Sequence, residues 1–420
     1  MTAASEKKGV IHLLQEFSIP LILGVVAALV YANLNYETYE HLIHLQVSNW
    51  VLFGHDVTLH FLINDIFMVF FFGIAAKEIT EAVLPGGDLN PPKKAINPLM
   101  GTLGGVVGPV GVYFLLTMYM SPDKVWYDAV ANGWGIPTAT DIALAWLIAR
   151  IIFGNTHPAV NFLLLLAVAD DAIGLGIIAV FYPDPAHMPE PIYLLYLTVP
   201  GMLVAWLLRK KKVQAWLPYI LFGGTLSWLG FILAHLHPAL ALVPIVPFLP
   251  GPTRDTGLFV KADEADQEHA AEEAGQPVAV HHEHSPLHNF EHNLKLPVDL
   301  GLFFFGFANA GVAFSSISNV TWIVLISLLV GKTVGIFLFS WVAKLFGAPL
   351  PDRMDLRHLT VAGIVAGLGL TVALFVAGEA FQESHNIMHQ GPAKMGAVFS
   401  AIAAFVAIVV ARGIGIKRED

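Results

Sequence analysis

Two adjacent carboxylates, Asp170 and Asp171, stand in the middle of the apolar run NFLLLLAVADDAIGLGIIAVFY, residues 161–182. That run is long enough to cross a bilayer, which takes about 20 apolar residues. Burying acids at the midplane costs roughly 2.5–3.5 kcal/mol each on translocon scales. Acids kept at that cost are expected to hold a cation, a proton, or each in turn. Three more ionisable side chains lie in apolar runs: Asp141 in GWGIPTATDIALA (133–145), Lys332 in LLVGKTVGIFLF (328–339) and Asp65 in INDIFMVFFFGI (63–74). Neighbours on a helix point about 100° apart. One acid of the pair can therefore meet Lys332 while the other faces a water-filled cavity. Hard oxygen ligands of this kind suit alkali cations and offer nothing specific to softer metals.

The elements that must position these groups are membrane helices with breaks. Pro137 removes a backbone donor and clashes with the preceding turn, and Gly133, Gly135, Thr138 and Thr140 surround it. The run is expected to break near 136–140, leaving two half-helices that meet inside the membrane. Gly363, Gly367 and Gly369, ahead of Thr371, mark a second candidate break in VAGIVAGLGLTVALF (361–375). Paired breaks in corresponding positions of inverted repeats mark the midplane site of a secondary transporter. Half-helix ends carry about half a unit charge, so Asp141 is expected to offset the positive ends and Lys332 the negative ones.

Counting apolar runs gives twelve: 16–34, 57–83, 95–118, 126–149, 157–182, 191–208, 214–234, 237–250, 294–315, 320–346, 358–381 and 393–414. The eighth, PALALVPIVPFLP, is short and rich in proline. The fold class read from this is an all-α polytopic membrane protein of about twelve transmembrane helices. Its inverted repeats are spans 3–5 and 10–12, and its broken, crossing helices are spans 4 and 11. With both termini cytoplasmic, nineteen of the twenty-two Lys and Arg residues fall on the inside, as the positive-inside rule requires. The layout is then a cytoplasmic tail at 1–15, a transporter domain at 16–414 and a cytoplasmic tail at 415–420. An acidic, His-rich cytoplasmic loop at 253–293 interrupts the domain; it carries His269, His281, His282, His284, His288 and His292. Six histidines could sense pH or take up metal, but a solvated linker is the reading preferred for that composition. The polar N-terminus lacks a small-residue cleavage site, so the first span is read as retained. The chain has no cysteine, hence no disulfide and no thiolate chemistry.

GWGIPTATDIALA, LAVADDAIGLGII (166–178), FANAGV (307–312), GKTVGIFLF (331–339) and GIVAGLGLT (363–371) together resemble the NhaA-type sodium/proton antiporters of bacterial inner membranes. The resemblance runs from the second span to the twelfth. The inverted-repeat, broken-helix build is itself known from this family, so that expectation and the resemblance are one argument. The resemblance implies that Asp171 is the essential cation- and proton-binding acid and that Asp170 is its partner, paired with Lys332. It implies that Thr140 and Asp141 lie in the unwound crossing of span 4, and that Gly367, Gly369 and Thr371 lie in that of span 11. Asp65 matches an acid of mainly structural role. Glu291 and His237 match positions of the cytoplasmic funnel tied to pH activation. Where the family has an acid at the end of span 2, this chain has Lys77 with Glu78 beside it, and Pro238 interrupts the pattern after His237. The pH response is the property these departures touch.

The function expected is electrogenic Na⁺ (or Li⁺)/H⁺ antiport, exporting sodium on the proton gradient by alternating access. A site with two acids can release more than one proton per monovalent cation. No enzyme activity, cofactor or nucleic-acid partner is expected, and no GxxxxGK[ST] motif offers an ATP site. The partners are Na⁺, Li⁺, H⁺ and the lipid bilayer, and a homodimer is compatible with this reading. Two rivals are a sodium-coupled symporter of an organic substrate and a non-transporting membrane sensor.

Overall fold

In a computed structural model, residues 18–52, 55–84, 92–183, 187–251 and 285–419 are described. The tail 1–15 and residues 253–284 of the polar loop lie outside them. Within them, the apolar runs become helices, and Pro, Gly and capping residues decide where each bends or stops. Among the described residues, five helices are long and apolar enough to cross a bilayer: Leu59–Val83, Ala95–Met120, Pro158–Phe181, Asn319–Leu345 and Ile387–Gly413. These are spans 2, 3, 5, 10 and 12. Spans 4 and 11 are the two expected broken helices: Lys124–Thr138 with Ile142–Phe153, bent by 53°, and Leu356–Ala366 with Leu370–Ala380, bent by 47°. Span 1 is Ile19–Leu34 and span 7 is Tyr219–Leu233, both shorter and apolar. Span 6 joins a π-helical turn, Leu194–Thr198, to Val199–Lys210.

Span 9 runs from Pro286 to Asn309, which moves the end of the polar loop back from 293. Ser285 caps the helix by accepting from the His288 amide at 3.2 Å, and Pro286 occupies the first turn, where its missing N–H costs nothing. His288, Glu291 and His292 therefore belong to the helix. The eighth run is not an α-helix. Pro238, Pro244, Pro247 and Pro250 deny it backbone donors, and it forms 3₁₀ turns at Pro238–Leu240 and Val246–Phe248. It still follows span 2 along its length. A Cβ on Gly73 would stand 3.0 Å from Leu242, and one on Gly251 would stand 2.6 Å from Leu84. His237, at its other end, shares a cavity with Asp65. A 3₁₀ rise of about 2.0 Å per residue lets so short a run cover more height than an α-helix would.

Among the described residues, a short hairpin departs from the helical pattern. Between spans 1 and 2, a helix at Tyr36–Ile43 leads into an antiparallel hairpin of Gln46–Leu52 and His55–Thr58, with Gln46 opposite Thr58. Its strands are too short to stand out beside the apolar runs, and the second run, 57–83, takes in the end of the second strand.

The two repeats meet through their leading spans. Gly104 and Gly108 of span 3 face Gly335 and Gly331 of span 10. A Cβ on Gly335 would lie 2.0 Å from the Gly104 carbonyl oxygen, and one on Gly108 would lie 2.3 Å from that of Gly331. Both spans thus carry the small-xxx-small spacing that lets helix backbones touch in a membrane. Each leading span also meets the last span of its own repeat at a threonine: Thr102 Oγ1 lies 3.3 Å from the Leu166 carbonyl, its one proton shared with the Pro98 carbonyl at 3.1 Å, and Thr321 Oγ1 donates to the Pro392 carbonyl at 2.9 Å. Gly335→Ala is expected to force spans 3 and 10 apart and to cost about 3 kcal/mol, the top of the usual overpacking range. A thermal-stability series by size exclusion checks this. Gly111→Ala, with open space at its Cβ position, should leave the midpoint unchanged or raised.

Candidate functional site

The site is the place where the two breaks cross. Span 4 leaves its 3₁₀ end, Asn132–Thr138, and runs extended through Ala139 before Ile142–Phe153 begins. There the Asp141 amide donates to the Leu368 carbonyl at 2.6 Å, joining one break to the other. Gly369 is needed at this contact: a Cβ would stand 3.2 Å from the Ala139 carbonyl oxygen and 2.7 Å from Leu328. The Gly369 amide is met by Ser400 Oγ of span 12 at 3.2 Å. Tyr182 braces the other side, accepting from the Gly135 amide and donating to the Asn132 carbonyl, both at 2.9 Å. Pro137 is buried inside the 3₁₀ turn it helps to form.

Asp141 lies between two helix N-termini and caps both. Its Oδ1 accepts from the Leu144 amide at 3.1 Å, in the first turn of Ile142–Phe153. Its Oδ2 accepts from the Thr371 amide at 3.3 Å and from Thr371 Oγ1 at 3.0 Å, in the first turn of Leu370–Ala380. One carboxylate thus meets the positive ends of both half-helices. The opposite ends are met less directly. Thr140 Oγ1 lies 2.9 Å from the Ala366 carbonyl, the C-terminal end of Leu356–Ala366, and 2.9 Å from Asp170 Oδ2. Its single proton can serve only one of them. Lys332 donates to Thr140 and, at 2.6 Å, to Asp170 Oδ2. Lys332 therefore reaches the negative end through Thr140 and not by itself.

The acid pair is asymmetric. Asp170 and Lys332 are both wholly buried and form an ion pair. A π-helical turn, Ser327–Gly331, immediately precedes Lys332; the extra residue in such a turn rotates the helix beyond it. Asp170 Oδ1 points toward Gly105 of span 3, where a Cβ would stand 3.4 Å away, and makes no hydrogen bond among the described residues. Asp171 is 8% exposed, and its Oδ1 is likewise buried without a hydrogen-bond partner among the described residues. Two adjacent carboxylates thus each present a bare, buried oxygen among the described residues. Spans 3, 4, 5, 10 and 11 all contribute to this centre.

The residues matched to pH activation do not gather in one funnel. Glu291 meets Lys77, which is 2% exposed and also donates to Glu81 at 2.6 Å. Lys295 lies 3.9 Å from Glu291. Glu78 lies within electrostatic reach of both Glu291 and Asp171, so the charge of this cluster is felt at the acid pair. His237 sits at the opposite end of span 2. It is 3.2 Å from Glu379 and lines a cavity of about 550 Å³ with His60, Asp65 and Lys394. Placing His237 with Glu291 in the cytoplasmic funnel is therefore corrected: span 2 keeps its two ends apart. Asp65 borders the same cavity, and its carbonyl accepts from Trp228 Nε1 at 3.0 Å.

Thr371 as Asp141's partner, Tyr182 as a brace, and Glu379 and Lys394 as cavity charges are not marked by the motifs of the sequence. The last two could have been found by the rule that found Lys332, a charge set within an apolar run. Tyr182 left no such signal, because a tyrosine ending a span also fits an interfacial anchor.

Two crossed, broken membrane helices around an acid pair held by one buried lysine define a secondary ion transporter. A family model described as "Na+/H+ antiporter 1" matches residues 10–411. The "Na(+)/H(+) antiporter NhaA" of Desulfitobacterium hafniense (strain DSM 10664 / DCB-2) is 56% identical over 415 residues, covering 99% of this chain and 98% of the relative. That of Geobacter metallireducens is 54% identical over 408 residues, covering 97% and 98%. Among solved structures, the sodium proton antiporter MjNhaP1 from Methanocaldococcus jannaschii overlaps 94% of this chain and 98% of its own, loosely, at TM-score 0.42 and 16% identity. The chain belongs to the Na⁺/H⁺ antiporter 1 family and is a Na⁺/H⁺ antiporter, a transporter and not an enzyme. The symporter and sensor readings fall with that membership.

Proposed function

We propose that Asp171 is the exchanging ligand of an electrogenic antiporter that expels Na⁺, or Li⁺, on the proton gradient. The observation that carries this reading is the pair of bare, buried oxygens, Oδ1 of Asp170 and Oδ1 of Asp171, on a pair whose first member meets Thr140 of the break crossing. A bare carboxylate oxygen in a low-dielectric site is costly unless it takes up a proton or a cation. In the state open to the cytoplasm, Na⁺ enters past Glu78, and Asp171, Asp170 and Thr140 hold it as protons leave. After the site reopens to the other side, sodium departs and protons return. Lys332 keeps Asp170 compensated in the cation-free state and yields part of that pairing when Na⁺ arrives. The chain sits in the bacterial inner membrane with both termini cytoplasmic. Lys77, Glu81 and Glu291 then lie on the cytoplasmic side and set the pH response, with His237 on the outer side.

Electrogenicity is tested with purified protein in proteoliposomes carrying a voltage-sensitive dye. A sodium gradient is expected to generate a membrane potential, and valinomycin with K⁺ is expected to speed exchange by removing it. Exchange that generates no potential and ignores valinomycin would overturn the electrogenic mechanism while leaving antiport itself intact.

A further inference from the structure

The cavity at the far end of span 2 holds a charge that the proposed exchange cycle does not use. Glu379 lies eight residues beyond Thr371 on the half-helix that Asp141 caps, about 12 Å along its axis. The cavity also takes in Tyr182, the brace of span 4. It therefore adjoins the break crossing on the side away from Lys77, and with both termini cytoplasmic, as proposed, it lies on the outward route.

Three carboxylates line this space, Asp65, Glu379 and Glu40, and the last two are the ones within electrostatic reach of Lys394. Either would retain a sodium ion on its way out. His237 lies 3.2 Å from Glu379, and His60 stands beside them. Histidine offers charge only while protonated. Lys394 of span 12 is different. Its side chain enters the cavity with Nζ 3.9 Å from where a Cβ on Gly378 would stand, and the amine makes no hydrogen bond or ion pair among the described residues. It nevertheless lies within electrostatic reach of both Glu379 and Glu40. A half-buried lysine left without a direct partner, between two acids, is a tethered cation in a space a mobile cation must cross.

We infer that Lys394 is the release-setting charge of the outward vestibule: it satisfies the field of Glu379 and Glu40 in place of sodium, so the cation leaves instead of lodging there. Lys394 does not touch the exchanging site; it sets how tightly the vestibule holds Na⁺ on one face only. A merely structural role would alter both faces alike.

The test uses the full chain in proteoliposomes, with Na⁺ added to one face at a time and proton flux read by a pH dye. The chain has no cysteine, so a single Tyr36→Cys, labelled by an impermeant maleimide, reports which face carries the cavity. That label keeps a failure of the proposed threading separate from a failure of this inference. Lys394→Gln is expected to lower the apparent KM for Na⁺ on the cavity face about three- to tenfold, as loss of one unit charge across a polar cavity would. The KM on the opposite face should stay as it was. Lys394→Arg should keep the parent values. Glu40→Gln should shift the cavity-face KM the other way, which tests the idea even if Lys394→Gln fails to fold. Equal shifts on both faces, no shift in either variant, or an arginine variant behaving like the glutamine one would overturn the inference.

Discussion

Asp171→Asn is expected to abolish Na⁺-driven proton exchange while leaving the protein as stable as its parent or more so. The expected loss is about 100- to 1000-fold, the factor carried by roughly 3–4 kcal/mol of charge attraction at close range. Stability should not fall, because the carboxylate makes no hydrogen bond through Oδ1 and an amide removes a buried charge beside Asp170. Asp170→Asn should behave differently. It leaves Lys332, wholly buried, without its ion-pair partner, and breaking a buried pair on one side costs about 3–5 kcal/mol. Exchange measured in everted vesicles from pH 6 to 9, beside a thermal-stability series, separates the two. If Asp171→Asn retained exchange at any of these pH values, or proved less stable than Asp170→Asn, the assignment of roles within the pair would be wrong.

The second large effect belongs to Asp141. Asp141→Ala strips the acceptor from the Leu144 amide, the Thr371 amide and Thr371 Oγ1. Lost N-caps cost about 0.5–2 kcal/mol each, and buried donors left unsatisfied cost about 1–3 kcal/mol each. The sum expected here is about 3–5 kcal/mol, with exchange down by more than about tenfold because the crossing loosens. Asp141→Asn should fall between, since its single amide oxygen can cap one half-helix but not both. Thermal midpoints in the order parent, Asn, Ala would bear this out. Equal midpoints for Asn and the parent would show that only one cap matters.

Much of this was legible from particular residues. Pro137 with its flanking glycines marked the first break, and Gly367 with Gly369 marked the second, because backbone donors and Cβ clashes are local properties. The buried charges Asp141, Asp170, Asp171 and Lys332 stood out because each is expensive in hydrocarbon whatever surrounds it. The start of span 9 is hidden in the sequence, because His288, Glu291 and His292 have the composition of a loop while the Ser285–Pro286 cap already begins the helix. The hairpin at 46–58 is not legible in the sequence, because its short strands alternate too weakly against the apolar helices on either side.

The sequence by itself determined the membrane class, the order of the spans, the positions of both breaks and the identity of the costly acids. Each of these depends on hydropathy or backbone chemistry within about one helix length. Only the tertiary structure decided which oxygens of the acid pair stay bare, that Asp141 caps two helices, that Lys332 reaches the far helix end through Thr140, and that His237 and Glu291 lie at opposite ends of span 2. Those depend on which faces of distant helices cross and at what height. Here they were set by the glycine contacts of spans 3 and 10 and by the crossing of two unwound segments.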